Sequence, residues 1–323
     1  MNVDLSVVVP TYRGALSLPE LLGRLAEALA PGALRYEVVV VNDASPDDTW
    51  AALEKLCAQH PELVAIDLLS NHGQARATLC GMAYARGSLV ATMDDDLQHP
   101  PEELPALVDA LEQHLDWDAV VGSWKRDEGV LRDLGSRVNE AVDRFAHGTP
   151  RGFRHSAFRV MRRPVVDALV AHETRTPVLW SMLGQSAARV RNVEVAHRPR
   201  PYGRSGFRFR DGMTTVLTSF FHASTLPLRA ISAFGILCSL LSFLLGLVFA
   251  GRWLSGVQTP PGWASSFIAV VFFGGATLFG VGLIGEYVSL VMQEVRRPPR
   301  YTVRTVVDER DGEDESRTVS NQR

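Results

Sequence analysis

Cysteine is scarce in this sequence, and the cysteines that are present form no recognisable pattern. The 323-residue chain holds three, Cys57, Cys80 and Cys238, without a Cys-x-x-Cys pair. This usage excludes a disulfide framework and a cysteine-based zinc site, and it is typical of proteins from a reducing compartment. An excess of charge is lacking as well, because the formal net charge at pH 7 is −3. Such a charge is too small to argue for any partner. No nucleic acid is expected as a partner, because a cluster of arginines near an apolar region is the only feature that would favour one.

Charge is almost absent from residues 227–292. Two apolar stretches there, about Leu228 to Ala250 and about Ala264 to Met292, each exceed the roughly 20 residues needed to span a bilayer. A buried helical hairpin in a soluble core is the alternative, but soluble helices are rarely apolar on every face. The sequence therefore predicts two C-terminal transmembrane helices in contact with membrane lipid. Glycines in the second stretch are compatible with a homo-oligomer.

Arginines flank this apolar region and predict its orientation. They are frequent from Arg198 to Arg210 and from Arg296 to Arg304, whereas the connecting loop holds only Arg252. The positive-inside rule then places both termini and the large N-terminal domain in the cytoplasm, as a multi-pass protein of the inner membrane. Residues 211–226 are predicted to be an interfacial amphipathic segment. Residues 293–323, first basic and then acidic, are predicted to be a disordered cytoplasmic tail.

Strands and helices alternate along residues 1–210. Apolar runs rich in β-branched residues, such as Leu5 to Pro10 and Tyr36 to Val41, are followed by segments with helical spacing. This alternation predicts an α/β domain with a Rossmann-like, mostly parallel sheet and crossover helices. Ligands of such sheets bind at the carboxyl ends of the strands.

The run Met93 to Glu102 contains three consecutive aspartates, Asp94 to Asp96, directly after a predicted strand. Adjacent carboxylates repel one another, and a hard cation such as Mg²⁺ or Mn²⁺ relieves that repulsion through oxygen ligands. Such a cation keeps positions open for the diphosphate of a nucleotide. A solvated acidic turn before a helix is the alternative interpretation.

Several motifs in fixed order resemble the polyprenyl-phosphate glycosyltransferases of glycosyltransferase family 2. The similarity covers about residues 4–305, and the family includes dolichol-phosphate mannose synthases and bacterial enzymes that load a sugar onto undecaprenyl phosphate. The matching segments are Val9-Pro10-Thr11-Tyr12, Val41-Asn42-Asp43-Ala44-Ser45, Asn71-His72-Gly73-Gln74, Asp94 to Glu102, Gly203-Arg204-Ser205 and Gly285-Glu286-Tyr287.

The resemblance implies a GT-A catalytic domain followed by the two spans. It implies inverting, metal-dependent transfer of a sugar from a nucleoside diphosphate sugar to a polyprenyl phosphate at the cytoplasmic membrane face, for the cell envelope. The implied catalytic residues are Asp96, Arg132 and Arg200. The implied substrate-binding residues are Pro10, Tyr12, Asp43, Asp94, Gln98, Ser136 and Ser205. The implied ligands of Mg²⁺ or Mn²⁺ are Asp94, Asp96 and Gln98. Asp95 ranks below its neighbours, because the family often has a small residue there.

Structural roles without any part in catalysis or binding remain open for some of these residues. Asp43 is suited to capping a helix or an Asx turn. Arg132 and Ser136 are compatible with a solvated helix face, and Arg200 with positive-inside charge.

Two departures from the family pattern favour an alternative function. Tyr12-Arg13-Gly14 stands where the family often has Tyr-Asn-Glu, and residues 151–159 lack the carboxylate that many members carry. The alternative is a non-catalytic membrane protein that binds a nucleotide sugar or acts as a flippase partner. A polymer-building synthase of the same fold is disfavoured, because the chain has no Gln-x-x-Arg-Trp motif.

Overall fold

The computed structural model describes most of the predicted catalytic domain and one long helix of the apolar region. The described residues are 3–32, 34–124, 154–174, 177–187, 189–196, 198, 255, 262–295 and 299–308. The chain divides into two units, one formed by Met1–Gly206 together with Pro298–Arg323, the other by Phe207–Arg297. The first unit is therefore discontinuous in sequence, which the predicted boundary at residue 210 did not anticipate.

The strands and helices alternate as the hydrophobic pattern predicts over the first 113 residues. The strands are β1 (Leu5–Thr11), β2 (Tyr36–Asn42), β3 (Leu63–Leu68), β4 (Leu89–Thr92), β5 (Ala119–Ser123), β6 (Arg159–Arg162), β7 (Val190–Glu194) and β8 (Val303–Asp308). The helices are α1 (Leu18–Leu29), α2 (Thr49–Cys57), α3 (Gln74–Tyr84), α4 (Leu104–Gln113), α5 (Arg163–Ala171), α6 (Leu179–Ser186) and α7 (Trp263–Val295). Short 3₁₀ turns lie at Ala30–Gly32 and Pro101–Glu103.

The described strands form one sheet in the order β7-β5-β6-β4-β1-β2-β3-β8. Its centre is parallel, because β1 pairs with β2 and β4, and β2 with β3. The pairs β3–β8, β4–β6 and β5–β6 are antiparallel, and β5–β7 is parallel. The prediction of an α/β domain with a mostly parallel sheet is thus confirmed.

Helices cover both faces of this sheet, so its central strands are apolar on both sides. Val7 and Val9 belong to a core with α1, α2 and α4, whereas Val8 packs among side chains of α3, α5 and α6. All seven residues of β1 are buried. Continuous burial explains why the strand reads as an unbroken apolar run and not as an alternation.

The predicted disordered tail is wrong for residues 303–308. Val303–Asp308 form β8, which pairs antiparallel with β3 and places Val306 opposite Ile66. Three of its six residues are valines, and burying them against β3 offsets the entropy of ordering the segment. Residues 309–323 lie outside the described part of the chain.

The second apolar stretch coincides with α7, which has 33 residues. Its exposed apolar side chains include Val270, Phe272, Val281 and Ile284. Within the part of the chain that the structure describes, no helix combines the length and apolarity needed to cross a membrane. The first predicted span and the predicted interfacial segment at 211–226 lie outside the described residues. In the loop that follows this span, Ser255 and Gly262 are described.

Candidate active site

A polar cleft lies at the carboxyl ends of β1, β2 and β4. Its volume is about 160 Å³. The residues that line it are Pro10, Thr11, Tyr12, Asp43, Gln74, Asp94, Asp95 and Asp96. Because β1 lies between β2 and β4 in the sheet, the loops that follow these parallel strands meet at one edge.

Each of the three consecutive aspartates accepts a hydrogen bond from a different partner. The Gln74 side-chain amide donates to Asp94, and the Thr11 hydroxyl donates to Asp95. The backbone N–H of Gln98 donates to Oδ1 of Asp96 at 3.0 Å. Asp95 therefore lines the cleft like its neighbours, and its carboxylate is oriented by the end of β1; its lower rank as a functional residue stays a prediction.

Asp43 follows β2 and fixes the loop between β3 and α3. Its two carboxylate oxygens accept the backbone N–H groups of His72 at 2.7 Å and Gly73 at 2.8 Å. Gly73 has a φ of 87°, a left-handed conformation that glycine adopts without steric cost. The next residue is Gln74, so Asp43 also sets where α3 begins and where the partner of Asp94 is anchored.

Arg159 is a buried cation close to this acidic cluster. In the β4–β6 pairing it lies opposite Thr92, and Thr92 precedes Asp94 by two residues. The residue is 6% exposed, and its Nε atom has no hydrogen-bond partner among the residues that the structure describes. Burial lowers the pKa of Arg159 to about 10, and the negative charge of Asp94 opposes that shift. The guanidinium thus supplies positive charge next to carboxylates that would otherwise only repel an anionic ligand.

The donor set of the cleft suits a hard divalent cation. Asp94, Asp95 and Asp96 offer only oxygen atoms, which Mg²⁺ and Mn²⁺ prefer. Among the described residues, no group of three or more histidine, cysteine, aspartate or glutamate side chains is arranged to enclose a metal ion.

The predicted site residues fall into three groups. Pro10, Tyr12, Asp43, Asp94 and Asp96 line the cleft together. Gln98 lies beside Asp96 and is half-buried, and its carbonyl accepts the backbone N–H of Arg198 at 2.9 Å. The remaining four predicted residues, Arg132, Ser136, Arg200 and Ser205, lie outside the described part of the chain.

Sequence reasoning missed three residues of this site, Thr11, Gln74 and Arg159. Thr11 and Gln74 were quoted in the motifs but given no role, since only tertiary contacts reveal that they orient Asp95 and Asp94. Arg159 carried a visible signal, because it is an arginine at the start of the apolar strand Arg159–Arg162. A charged residue inside a strand that packs in a core requires a local partner or a ligand.

The fold and the cleft define an α/β enzyme with an acidic centre, and sequence comparison identifies its family. The family model described as Glycosyl transferase family 2 matches residues 6–170. An undecaprenyl-phosphate 4-deoxy-4-formamido-L-arabinose transferase from Klebsiella pneumoniae is 32% identical over 308 residues, covering 94% of this chain and 93% of that protein. The protein of the same name from Serratia proteamaculans is 34% identical over 310 residues, covering 94% of each. The chain therefore belongs to glycosyltransferase family 2 and is a glycosyltransferase with a GT-A-like α/β fold.

Solved structures resemble this chain at lower identity. A mannosyltransferase from Pyrobaculum calidifontis in complex with GDP-Man and Mn²⁺ is 17% identical, covers 91% of this chain and 86% of its own, and gives a TM-score of 0.49. Glucosyl-3-phosphoglycerate synthase from Mycobacterium tuberculosis in complex with Mn²⁺, UDP-Glc and phosphoglyceric acid is 19% identical. It covers 68% of this chain and 80% of its own, with a TM-score of 0.46.

Proposed function

We propose that this glycosyltransferase moves a sugar from a nucleoside diphosphate sugar to a polyprenyl phosphate, with inversion at the anomeric carbon. The observation that carries the donor half is the acidic cleft at the carboxyl ends of β1, β2 and β4. The acceptor half is supported by relatives named undecaprenyl-phosphate transferases, which match this chain over 94% of its length.

A divalent cation is part of the proposal. A diphosphate and a carboxylate cluster are both anionic, so they can share one cleft only if a cation lies between them. Asp94, Asp96 and the side chain of Gln98 would hold Mg²⁺ or Mn²⁺. The ion would neutralise charge on the diphosphate leaving group. Arg159 supports the same task, since it adds a buried positive charge beside Asp94.

The proposed transfer is a single displacement. An oxygen of the lipid phosphate forms a bond to the anomeric carbon while the bond from that carbon to the diphosphate oxygen breaks. The nucleoside diphosphate leaves with the electron pair, and direct attack from the opposite side inverts the configuration. A phosphate monoester is already ionised at neutral pH, so the lack of a carboxylate in the sequence of residues 151–159 is chemically tolerable.

The acceptor places the reaction at a membrane. We infer that residues 227–292 anchor the protein as two spans and that both termini are cytoplasmic, as the arginine distribution predicts. Exposed apolar side chains on α7, among them Val270 and Val281, support contact with lipid. A reporter fused within the loop at 251–263 should report the periplasmic side, and one fused after Arg323 the cytoplasmic side. The reverse pattern would refute the orientation.

Arg132, Ser136, Arg200 and Ser205 are proposed to hold the phosphate groups of donor and lipid. Guanidinium groups can grip phosphate through two parallel hydrogen bonds, which suits Arg132 and Arg200 to this role. Tyr12 is 47% exposed at the edge of the cleft, where its ring is suited to contact the nucleoside.

The second candidate function is nucleotide-sugar binding without turnover. Arg13 and Gly14 stand where the family often has an asparagine and a glutamate, and Arg13 adopts a left-handed φ of 63°. A cation at that position changes the electrostatics of the nucleoside end of the cleft.

A transfer assay separates the two functions. Full-length protein in detergent is given undecaprenyl phosphate, Mg²⁺ or Mn²⁺ and UDP-, GDP- or dTDP-sugars, and the lipid product is identified by mass and its anomeric configuration by NMR. We expect a metal-dependent, inverted sugar-phosphate lipid, and at least about a 100-fold loss of activity in Asp96→Asn. Glu112→Gln, which removes an exposed carboxylate of α4, should keep full activity. Nucleotide binding without any product would favour the second function, and full activity in Asp96→Asn would refute the proposed site.

A further inference from the structure

A chain of hydrogen bonds connects β8 to the interior of the sheet. Nη1 of Arg304, on β8, donates to Oδ2 of Asp67 at 2.8 Å, and its Nη2 donates to the carbonyl of Leu69 at 3.2 Å. The other carboxylate oxygen of Asp67, at the end of β3, accepts Nδ2 of Asn42 at 2.7 Å. The C-terminal strand is thereby joined to the end of β2.

The chain continues to the loop that follows β1. The Ser45 hydroxyl donates to Oδ1 of Asn42 at 2.5 Å, and the backbone N–H of Arg13 donates to Oγ of Ser45 at 3.0 Å. Only one assignment of donors and acceptors is consistent with all of these hydrogen bonds. The Arg13 amide can only donate, so the serine hydrogen must point at the Asn42 carbonyl oxygen. The Asp67 carboxylate can only accept, so the Asn42 amide nitrogen must face it.

Arg304 keeps this arrangement in place from the far end. The Asp67 side chain is 2% exposed, whereas that of Arg304 is 53% exposed. Burial raises the pKa of Asp67, and the contacts with Asn42 and Arg304 act in the opposite direction. Without the guanidinium, a buried carboxylate would lose its counter-charge and would be more easily protonated. A protonated Asp67 can donate, so the Asn42 amide would no longer be held in one orientation.

The near end of the chain holds backbone that is strained. Arg13 and Ala44 have φ angles of 63° and 52°, a left-handed conformation that is unfavourable for residues with a side chain. Each directly follows a residue that lines the cleft, Tyr12 and Asp43. Strained loops persist only when surrounding contacts determine their conformation, and the Arg13–Ser45–Asn42 contacts supply that constraint.

We propose that Arg304 is a positioning residue for the donor site, acting through Asp67, Asn42 and Ser45 on the loops that carry Tyr12 and Asp43. This inference rests on the proposed function and adds to it a role for the strand that follows the apolar region. Arg304 itself does not line the cleft, so it influences the nucleotide only by fixing the shape of the site.

The test measures nucleotide binding separately from turnover, on full-length protein in detergent. UDP, GDP and dTDP are each titrated with Mn²⁺ by calorimetry, and the tightest binder is used for the variants. In Arg304→Ala we expect affinity about fivefold weaker or more, with KM for the donor rising while kcat stays nearly constant. Arg304→Lys should recover part of the loss, because lysine keeps a positive charge beside the Asp67 carboxylate but does not make the second contact, to the carbonyl of Leu69. Ser45→Ala should weaken affinity to a similar degree, and the double variant with Arg304→Ala should be little worse than either alone.

Arg86→Ala is the matched control. Arg86 forms an ion pair of 3.6 Å with Asp308, at the opposite end of β8 from Arg304. Its nucleotide affinity should stay within about twofold of the wild type.

The outcomes distinguish this inference from the proposed function. A lower melting temperature with unchanged nucleotide affinity in Arg304→Ala would assign Arg304 a structural role and overturn the inference alone. If Arg304→Ala fails to fold, unchanged affinity in Ser45→Ala overturns it equally. Wild-type protein that binds none of the three nucleotides would overturn the proposed function and this inference together.

Discussion

At the residue scale, the site combines carboxylates with one buried cation. Asp94 and Arg159 lie near each other at the ends of β4 and β6, yet the pKa of Arg159 is still lowered by burial. Within the described ranges, the Nε atom of Arg159 has no hydrogen-bond partner. A buried polar group in this condition lowers stability unless a ligand compensates it. The arrangement is typical of a group that is retained for binding.

Replacement of Arg159 by methionine should separate stability from activity. An apolar side chain of similar length removes a buried charge, so we expect an unchanged or higher melting temperature. We expect kcat/KM for transfer to fall at least about tenfold, which corresponds to about 1.4 kcal/mol of transition-state stabilisation. Thermal unfolding and steady-state kinetics measure the two effects. Arg191→Met, on an exposed residue of β7, is the control and should change neither. A parallel loss of stability and activity in Arg159→Met would contradict this role.

The sequence predicted which residues line the cleft better than it predicted the contacts between them. The place of Asp94 and Asp96 in the cleft could be predicted, because they directly follow a strand of a parallel sheet. Thr11 and Gln74 could not, since their role depends on which loops meet at the edge of the sheet. Asp43 shows both aspects, because its place in the cleft was predicted, whereas its two hydrogen bonds to the backbone of residues 72 and 73 were not.

At the scale of elements, an ion pair connects α1 to the turn that follows the acidic cluster. Arg24 donates two parallel hydrogen bonds to Glu102, each 2.8 Å long. Glu102 belongs to the 3₁₀ turn Pro101–Glu103, which leads from the cluster into α4. The hydrogen bonds from Arg24 hold the pKa of Glu102 below its usual value. The pair is partly exposed, so its contribution is below about 1 kcal/mol.

This ion pair predicts a pH-dependent stability. Because the pKa of Glu102 is lowered in the folded state, the stabilisation is present above the ordinary value of 4.5 and is lost as pH falls through the lowered value. Arg24→Met should therefore reduce the melting temperature at pH 7 by about 1–3 °C, and the difference should shrink at pH 3. Thermal unfolding across this range provides the test, with Arg191→Met, on an exposed residue of β7, as the control. A difference that stays constant down to pH 3 would argue against the ion pair.

Elements with strong apolar patterns were predictable, and weakly patterned ones were not. β1 to β4 are runs of buried, mostly apolar residues, and each was predicted. β7, with the sequence Val-Arg-Asn-Val-Glu, has too few apolar residues to stand out, and it is stabilised by pairing with β5. β8 was missed because its valines adjoin a polar tail, so composition alone favoured disorder.

At the scale of the whole molecule, the unit that contains the cleft is built from two separate parts of the chain. Residues up to Gly206 and residues from Pro298 onward belong to it, and β8 covers the edge of β3. An uncovered edge strand exposes unpaired backbone groups and promotes aggregation. The discontinuity could not be read from the sequence, because hydropathy marks only the apolar region between the two parts.

Truncated chains should reveal this dependence. Residues 1–206 alone should aggregate readily, whereas residues 1–206 joined to 298–308 by a Gly/Ser linker should melt at least about 4 °C higher. Val306→Asp in the linked chain should cancel the gain, because Val306 is buried against the sheet. Light scattering and thermal unfolding give the readout. Equal melting temperatures for the linked and unlinked chains would show that β8 is dispensable.

The position of β8 in the chain also determines when the sheet can be completed during translation. The ribosome makes β1 to β7 first, then the apolar region, and only afterwards the six residues that complete the sheet. At about 5–20 residues per second, the nascent domain waits several seconds with one edge of β3 open. The sheet is therefore complete only after the apolar region has been synthesised, so a polypeptide released early lacks the last strand of its sheet.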